Sequence, residues 1–133
     1  MKILVTEMIA EKGITRLLQA GATVDIKTTL TREELLDVIG DYDALIVRSN
    51  TKVNEELYLQ AARLKVVGRA GVGVDNIEME GATQRGIIVV NAPESNIVSA
   101  AELTIGLLIA ACRTIPQLQS RLHDQIWDRS GLK

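Results

Sequence analysis

Two arginines lie at the ends of two hydrophobic segments that have the composition of buried strands. Arg48 ends the segment at residues 44–48, and Arg69 ends the segment at residues 65–69. Open α/β folds bind their ligands at the edge where parallel strands present their carboxyl ends. Guanidinium groups match the oxygens of carboxylates and phosphates. The two arginines therefore predict a site for a small, doubly anionic ligand at that edge.

A short segment with two glycines follows Arg69. Gly71 and Gly73 have no Cβ atom, so the backbone could approach a ligand closely, and a helix N-terminus after them would offer free N–H groups to an anion. The segment is not a dinucleotide-binding fingerprint, because Asn76 lies where the G-x-G-x-x-G pattern has its third glycine.

The same arginines have a second interpretation that their spacing does not exclude. Arg48 and Arg69 would then form salt bridges that stabilise the fold, with partners among Asp25, Asp43 and Glu94. The two interpretations differ in whether the guanidinium groups are paired within the chain.

Composition argues against several other classes of site. The chain has 133 residues, a net charge of −2 and 2% aromatic residues, so we expect neither nucleic acid nor an anionic membrane as a partner. The single cysteine and single histidine, Cys112 and His123, leave too few ligands for a zinc cluster, and we expect no metal site. We expect Cys112 to be buried and His123 to be solvated at a helix end. The most apolar stretch, residues 103–112, is far shorter than the roughly 20 residues that span a bilayer, so we expect a cytoplasmic protein.

Short β-rich segments alternate with helix-like segments along the chain. The predicted strands cover residues 2–6, 23–27, 44–48, 65–69 and 87–90. The predicted helices cover residues 8–19, 32–39, 54–62, 76–84 and a longer stretch at about 98–122. The strands are rich in Val, Ile and Leu on both faces, which is typical of parallel sheets covered by helices. We predict a flavodoxin-like, doubly wound parallel sheet of five strands in the order 2-1-3-4-5.

Local signals mark where these helices begin and end. Three segments resemble capping boxes, in which a side-chain oxygen and a later glutamate bind free backbone N–H groups, and they begin at Thr31, Asp75 and Ser99. The glycines that predict helix ends are Gly21, Gly40 and Gly86. Pro93 predicts a turn out of the first compact unit.

The long last helix is apolar on every side between residues 105 and 112. A helix that packs on one face of a sheet needs only one apolar stripe, so this helix is expected to be covered by another domain or another subunit. We therefore divide the chain into a substrate-binding domain at residues 1–96 and, at residues 97–133, a dimerisation helix that begins a second domain.

Four blocks of sequence carry a resemblance to a known family. They read LIVRSNTKV at residues 45–53, VGRAGVGVDNI at 67–77, GIIVVNAP at 86–93 and SAAELT at 99–104. In this order they resemble the D-isomer-specific 2-hydroxyacid dehydrogenases, and the similarity extends from Met1 to about Arg129. The resemblance implies an oxidoreductase that uses NAD. Within the family the chain is most similar to members that oxidise D-3-phosphoglycerate to 3-phosphohydroxypyruvate in serine biosynthesis.

The resemblance also implies roles for individual residues. The backbone at Gly71 and Val72 would receive the substrate carboxylate, and Val72 would also contact the cofactor. The side chains that would help to hold substrate are Arg48, Arg69 and Asn96, and Arg129 would reach towards the phosphate in the neighbouring subunit. The helix at residues 99–121 would belong to the nucleotide-binding domain and form a homodimer interface.

The resemblance places the family's dinucleotide fingerprint and its catalytic arginine, glutamate and histidine beyond Lys133. We therefore expect no catalytic residue in this chain, no tight binding of NAD by it and no activity when it is alone. Two alternatives stay open. One is another D-2-hydroxyacid dehydrogenase, such as a glyoxylate/hydroxypyruvate reductase, and the other is a free-standing anion-binding module without chemistry.

Overall fold

The computed structural model describes residues 1–127, and these fall into two compact units. The first unit is Met1–Ser95, and the second begins at Asn96. The first unit contains a five-stranded sheet with four α-helices, and the described part of the second unit contains two α-helices.

The sheet of the first unit is entirely parallel. Its strands are β1 Lys2–Val5, β2 Thr23–Ile26, β3 Ala44–Val47, β4 Val66–Arg69 and β5 Ile88–Asn91. Their order is β2-β1-β3-β4-β5, which confirms the flavodoxin-like, doubly wound arrangement. This order places β3 and β4 side by side, so the two predicted arginine positions are at one edge.

Helices connect the strands and pack on both faces of the sheet, but Ile88 and Val90 of β5 stay 61% and 50% exposed, so the expectation that the strands are buried on both faces is wrong for β5. They are α1 Glu11–Gln19, α2 Arg32–Val38, α3 Glu55–Gln60 and α4 Met79–Gln84, with a short 3₁₀ turn at Ile39–Asp41. Successive side chains of a strand point to opposite faces. One face packs against α1 through Ile3, Val5, Ala44, Ile14 and Leu17. The other face packs against α2, α3 and α4 through Leu45, Val47, Val67, Leu35, Leu57 and Ala82.

The predicted helix boundaries are partly right. Thr31 forms the capping box, because its hydroxyl accepts from the Glu34 N–H at 3.3 Å and the Glu34 carboxylate accepts from the Thr31 N–H at 2.8 Å. The capping box expected at Asp75 is wrong. Asp75 and Asn76 form a turn, and Ile77 then pairs with Val53 in an isolated β-bridge, so α4 begins only at Met79.

Glycines end two of the helices as expected. Gly21 and Gly86, which follow α1 and α4, have φ angles of 79° and 66°, and the left-handed region favours glycine because it has no Cβ atom. Gly40 instead lies inside the 3₁₀ turn that continues from α2.

The second unit corrects the prediction of one long helix at 98–122. Two helices are present, α5 Ile97–Cys112 and α6 Ile115–His123, and they are bent by 68°. Pro116 lies in the first turn of α6, where its missing N–H is tolerated, whereas in one continuous helix its ring would clash with the preceding turn. Thr114 absorbs the break with a left-handed backbone at φ 51°. The capping box expected at Ser99 is also wrong, because α5 begins at Ile97 after Asn96.

The helix α5 buries none of its residues within the described part of the chain. Its large apolar side chains stay exposed, with 61% of Leu107 and 63% of Leu108 accessible. Cys112 is exposed as well, so the prediction that it is buried was wrong, and the cause is the same uncovered helix. His123 ends α6 and is exposed, as expected. Within residues 1–127 no single helix is long and apolar enough to cross a membrane, although the bent pair α5 and α6 reaches that length and composition together.

Candidate anion-binding site

The register of the sheet brings the predicted site residues of the first unit to one edge. Arg69, the last residue of β4, pairs with Val47 of β3 on one side and with Asn91 of β5 on the other. Arg48 follows Val47 directly, and Gly71 and Val72 follow Arg69 within three residues. The carboxyl edge of β3, β4 and β5 therefore carries four of the residues that the sequence predicts.

Within residues 1–127, neither Arg48 nor Arg69 is paired with an acidic side chain. Lys2, Arg32, Arg63 and Arg85 do form ion pairs within 4 Å. Arg48 is exposed and Arg69 is partly buried. Two unpaired guanidinium groups at one sheet edge create a local positive charge with unused hydrogen-bond donors.

The acidic residues that the alternative interpretation requires have other partners. Asp43 accepts from Arg63 at 3.1 Å and from the backbone N–H of Lys2 at 2.8 Å. These bonds, the one from the Lys2 N–H above all, hold the pKa of Asp43 below its ordinary value. Asp25 accepts from the hydroxyl of Tyr42 at 2.8 Å and lies 3.8 Å from the Lys2 amine. The structural salt bridges proposed for Arg48 and Arg69 with these residues are therefore wrong.

Arg69 lies over the segment that follows it. A Cβ atom built on Gly71 would overlap the Nη1 atom of the Arg69 guanidinium, so the absence of a side chain at Gly71 makes room for Arg69. The Nε atom of Arg69 is buried and has no hydrogen-bond partner. A buried donor without an acceptor costs stability, and Arg69 is held in this position without a hydrogen bond from its Nε atom.

The segment at residues 71–73 is anchored by its carbonyl groups. The Gly71 carbonyl accepts from the Ala92 N–H at 2.9 Å, and the Val72 carbonyl accepts from the Asn91 side chain at 2.6 Å. Within residues 1–127 no group accepts a hydrogen bond from the N–H of Val72 or Gly73. Val72 is 39% exposed. The segment therefore presents free backbone donors beside the two arginines.

Glu7 is a site-supporting residue that sequence reasoning missed. Its carboxylate accepts from three backbone N–H groups of the segment after β3, those of Arg48 at 2.8 Å, Thr51 at 3.0 Å and Asn50 at 3.1 Å. Partial burial raises the pKa of Glu7, but the three backbone donors outweigh that effect and hold the pKa below its ordinary value of 4.5. Glu7 is thus ionised at neutral pH.

Asn76 is the second supporting residue, and it also lies away from Arg48 in the sequence. Its side-chain amide donates to the carbonyl of Arg48 at 2.8 Å and to the carbonyl of Thr51 at 2.7 Å. From the sequence it was notable only as the residue that replaces a third glycine. The position of both side chains after strand ends was the one available signal.

A cavity of about 480 Å³ lies on the other side of this segment, towards β1 and α2. Its wall includes Glu7, Asn50, Thr51 and Lys52 but none of the predicted substrate-binding residues. The candidate site at the carboxyl edge of β3, β4 and β5 is therefore distinct from this cavity.

The other two predicted site residues, Asn96 and Arg129, do not belong to the first unit. Asn96 is the residue before α5 in the second unit, and its carbonyl accepts from the Ala100 N–H at 2.9 Å. Arg129 lies outside the described residues. In the part of the chain that the structure describes, no group of three or more His, Cys, Asp and Glu side chains could hold a metal ion.

A family model matches nearly the whole chain. Residues 3–126 match the D-isomer specific 2-hydroxyacid dehydrogenase, catalytic domain, and the chain belongs to this family. The fold agrees: the chain superimposes with a TM-score of 0.87 on the TT0316 protein from Thermus thermophilus, at 30% identity, covering 100% of this chain and 44% of that one.

Individual relatives give a finer comparison. A D-3-phosphoglycerate dehydrogenase from Methanocaldococcus jannaschii is 52% identical over 132 residues, which is 99% of this chain and 25% of the relative. An NAD⁺-bound 3-phosphoglycerate dehydrogenase from Entamoeba histolytica matches with a TM-score of 0.71 at 36% identity, covering 83% of this chain and 38% of that one. The chain thus spans about a quarter of the length of the curated relative.

Proposed function

We propose that this chain is the substrate-binding part of an NAD-dependent dehydrogenase that oxidises D-3-phosphoglycerate to 3-phosphohydroxypyruvate, the first reaction of serine biosynthesis. The observation that carries the proposal is the pair of unpaired arginines, Arg48 and Arg69, beside the free N–H groups of Val72 and Gly73. D-3-phosphoglycerate carries a carboxylate and a phosphate, and this edge offers donors for two anionic groups. The 52% identity to a dehydrogenase of that name supports the same substrate.

Each feature of the edge has a distinct role in this proposal. The backbone at Gly71 and Val72 receives the carboxylate through the free N–H of Val72, because carboxylate oxygens accept well from backbone N–H groups, whereas the Gly71 N–H already donates to the Arg69 carbonyl at 2.8 Å. Arg48 and Arg69 hold the anionic substrate and orient it. The family resemblance also assigns Asn96 to substrate binding and Arg129 to the phosphate in the neighbouring subunit. The site is selective because a neutral hydroxyl compound would leave both guanidinium groups without an anion.

The cofactor and the base of the reaction lie mostly elsewhere. NAD supplies the hydride acceptor when it is bound, and the residue of this chain proposed to contact it is Val72. The described residues could contact NAD but do not form its main binding site, since G-x-G at residues 71–73 lacks the third glycine of a dinucleotide fingerprint. Removing the hydroxyl proton of the substrate requires a general base, and no residue of this chain is assigned that role. The chain alone is therefore proposed to be inactive.

The second unit is proposed to begin the nucleotide-binding domain and to form a homodimer. The division assigns residues 1–96 to substrate binding and 97–133 to the interface and the second domain, with the dimer contact at residues 99–121. The exposed apolar side chains of α5 support this, since leaving several hundred Å² of apolar surface in water costs many kcal/mol at about 25 cal/mol per Å². The enzyme is proposed to act in the cytoplasm.

The test compares substrate and cofactor binding in variants of the full-length enzyme. Each of Arg48→Ala and Arg69→Ala removes a charge-assisted contact of roughly 1.5–3 kcal/mol, so the KM for D-3-phosphoglycerate should rise about ten- to a hundredfold while the KM for NAD changes little. Arg16→Ala is the matched control, because Arg16 is an exposed arginine at the end of α1. Equal losses of substrate and cofactor binding would show that Arg48 and Arg69 are structural.

A further inference from the structure

The backbone that carries Arg48 is held from both sides by side chains of distant segments. Glu7, just after β1, accepts hydrogen bonds from the N–H groups of Arg48, Asn50 and Thr51 at 2.8–3.1 Å. Asn76, between β4 and α4, donates to the carbonyl groups of Arg48 and Thr51 at 2.7–2.8 Å. Both polar groups of the Arg48 backbone therefore have a side-chain partner.

These hydrogen bonds fix the backbone of Arg48 and leave its guanidinium group free. With its N–H and its carbonyl both bound, the backbone of Arg48 has little freedom to rotate, so its Cα–Cβ bond has a defined direction. The Arg48 guanidinium itself makes no ion pair within residues 1–127. A rigid backbone with a free charged head is the arrangement that pre-organised binding requires.

Glu7 also determines which backbone N–H groups of residues 48–51 remain free to bind a ligand. Consecutive backbone N–H groups that point to one spot form an anion-binding concavity. Here the carboxylate of Glu7 already occupies the concavity of residues 48–51. An anionic substrate must therefore meet the Arg48 side chain and not the amides of Arg48, Asn50 and Thr51.

We propose that Glu7 is a positioning residue for substrate binding, which acts through Arg48 by fixing the backbone of residues 48–51 together with Asn76. The inference rests on the proposed function in one respect, namely that Arg48 binds the substrate. Glu7 itself does not contact the substrate.

The kinetic test is a double-mutant cycle in the full-length enzyme with D-3-phosphoglycerate and NAD. Glu7→Gln should raise the KM for D-3-phosphoglycerate roughly tenfold or more and leave the KM for NAD within about twofold, because a displaced arginine affects only the substrate. In the Arg48→Ala background the same change should have an effect of less than about twofold, since Glu7 then has no side chain to position. The matched control is Glu33→Gln, which removes an exposed carboxylate of α2 that makes no contact with this segment.

A second measurement is independent of activity. Amide hydrogen exchange in the full-length protein should show that Glu7→Gln removes protection at Arg48, Asn50 and Thr51 and leaves the amides of β3 protected. Unchanged protection at all three would overturn the positioning role, and so would a loss spread over the whole strand, which indicates a general stability effect.

The two proposals fail in different ways. If the wild-type enzyme does not oxidise D-3-phosphoglycerate, the proposed function is wrong, and the exchange measurement still decides whether Glu7 holds the segment. If the wild type is active but Glu7→Gln lowers substrate binding equally in the wild-type and Arg48→Ala backgrounds, then Glu7 does not act through Arg48.

Discussion

A single methyl group at Gly71 provides a sharp test of the arginine site. A Cβ atom at this position would overlap Nη1 of Arg69, and the Arg69 Cζ atom would be 2.9 Å away. The backbone of Gly71 is outside the left-handed region, which within residues 1–127 only Gly21 and Gly86 enter among the glycines. Alanine therefore fits the backbone at Gly71, and only the Arg69 guanidinium has to move.

Gly71→Ala should therefore have a small effect on the free energy of unfolding and a large effect on substrate binding. The clash involves the far end of a flexible side chain, so Gly71→Ala should change the free energy of unfolding by less than about 1 kcal/mol. The displaced guanidinium loses its contact with an anionic substrate, which is worth roughly 1.5–3 kcal/mol, so the KM for D-3-phosphoglycerate should rise about ten- to a hundredfold.

The assay combines steady-state kinetics of the full-length enzyme at saturating NAD with thermal unfolding. Gly13→Ala is the matched control, because Gly13 lies in α1, far in sequence from Gly71, and a Cβ atom there would make an ordinary 3.6 Å contact with Ile9. It should stabilise the helix by about 0.5–1 kcal/mol without changing the KM. An unchanged KM for Gly71→Ala would refute the placement of Arg69, and a loss of several kcal/mol in stability would show that Gly71 serves the fold.

Three further predictions follow from the supporting elements. The pKa of Glu7 is lowered in the folded state, so ionised Glu7 stabilises the fold above pH 4.5 and this stabilisation is lost as the pH falls below that value. The difference in free energy of unfolding between wild type and Glu7→Gln should therefore become smaller at acidic pH. A difference that stays constant with pH would contradict this prediction. Thr114→Gly should raise the thermal stability by up to about 1 kcal/mol, because glycine tolerates φ 51°, and a lower melting temperature would count against it. Leu108→Glu places a charge on the exposed apolar surface of α5, so the molar mass measured by light scattering should fall from that of a dimer to that of a monomer. An unchanged molar mass would exclude the proposed interface.

The sheet could be predicted from sequence because its signals are local and regular. The apolar runs at β3 and β5 are rich in Val, Ile and Leu, and the lengths between strands fit crossover helices. The strand order followed from the fold class, and the structure confirms it. The prediction of one helix at 98–122 did not take into account that a proline inside a helical pattern ends or kinks the helix, and Pro116 lies in the first turn of α6.

The candidate site could be predicted only in part. Arg48, Arg69 and Gly71 have residue types that indicate their chemistry, and they lie at strand ends. Glu7 and Asn76 could not be identified, because their partners are backbone groups that are 25 to 44 residues away and that any residue type would present. Whether Arg48 and Arg69 pair with acidic residues also depends on three-dimensional distances, and the structure decided this against the salt bridges proposed with Asp25 and Asp43.

The most direct test of the central claim compares D-3-phosphoglycerate with D-glycerate as substrates of the full-length enzyme in the presence of NAD. The two molecules differ only in the phosphate, so a site built on two unpaired arginines should favour the phosphorylated one in kcat/KM by about a hundredfold or more. The preference should fall by at least about tenfold in Arg48→Ala or Arg69→Ala, because one anionic group then loses its partner. Equal use of both substrates would contradict the account and would indicate a hydroxypyruvate reductase or a related member of the family.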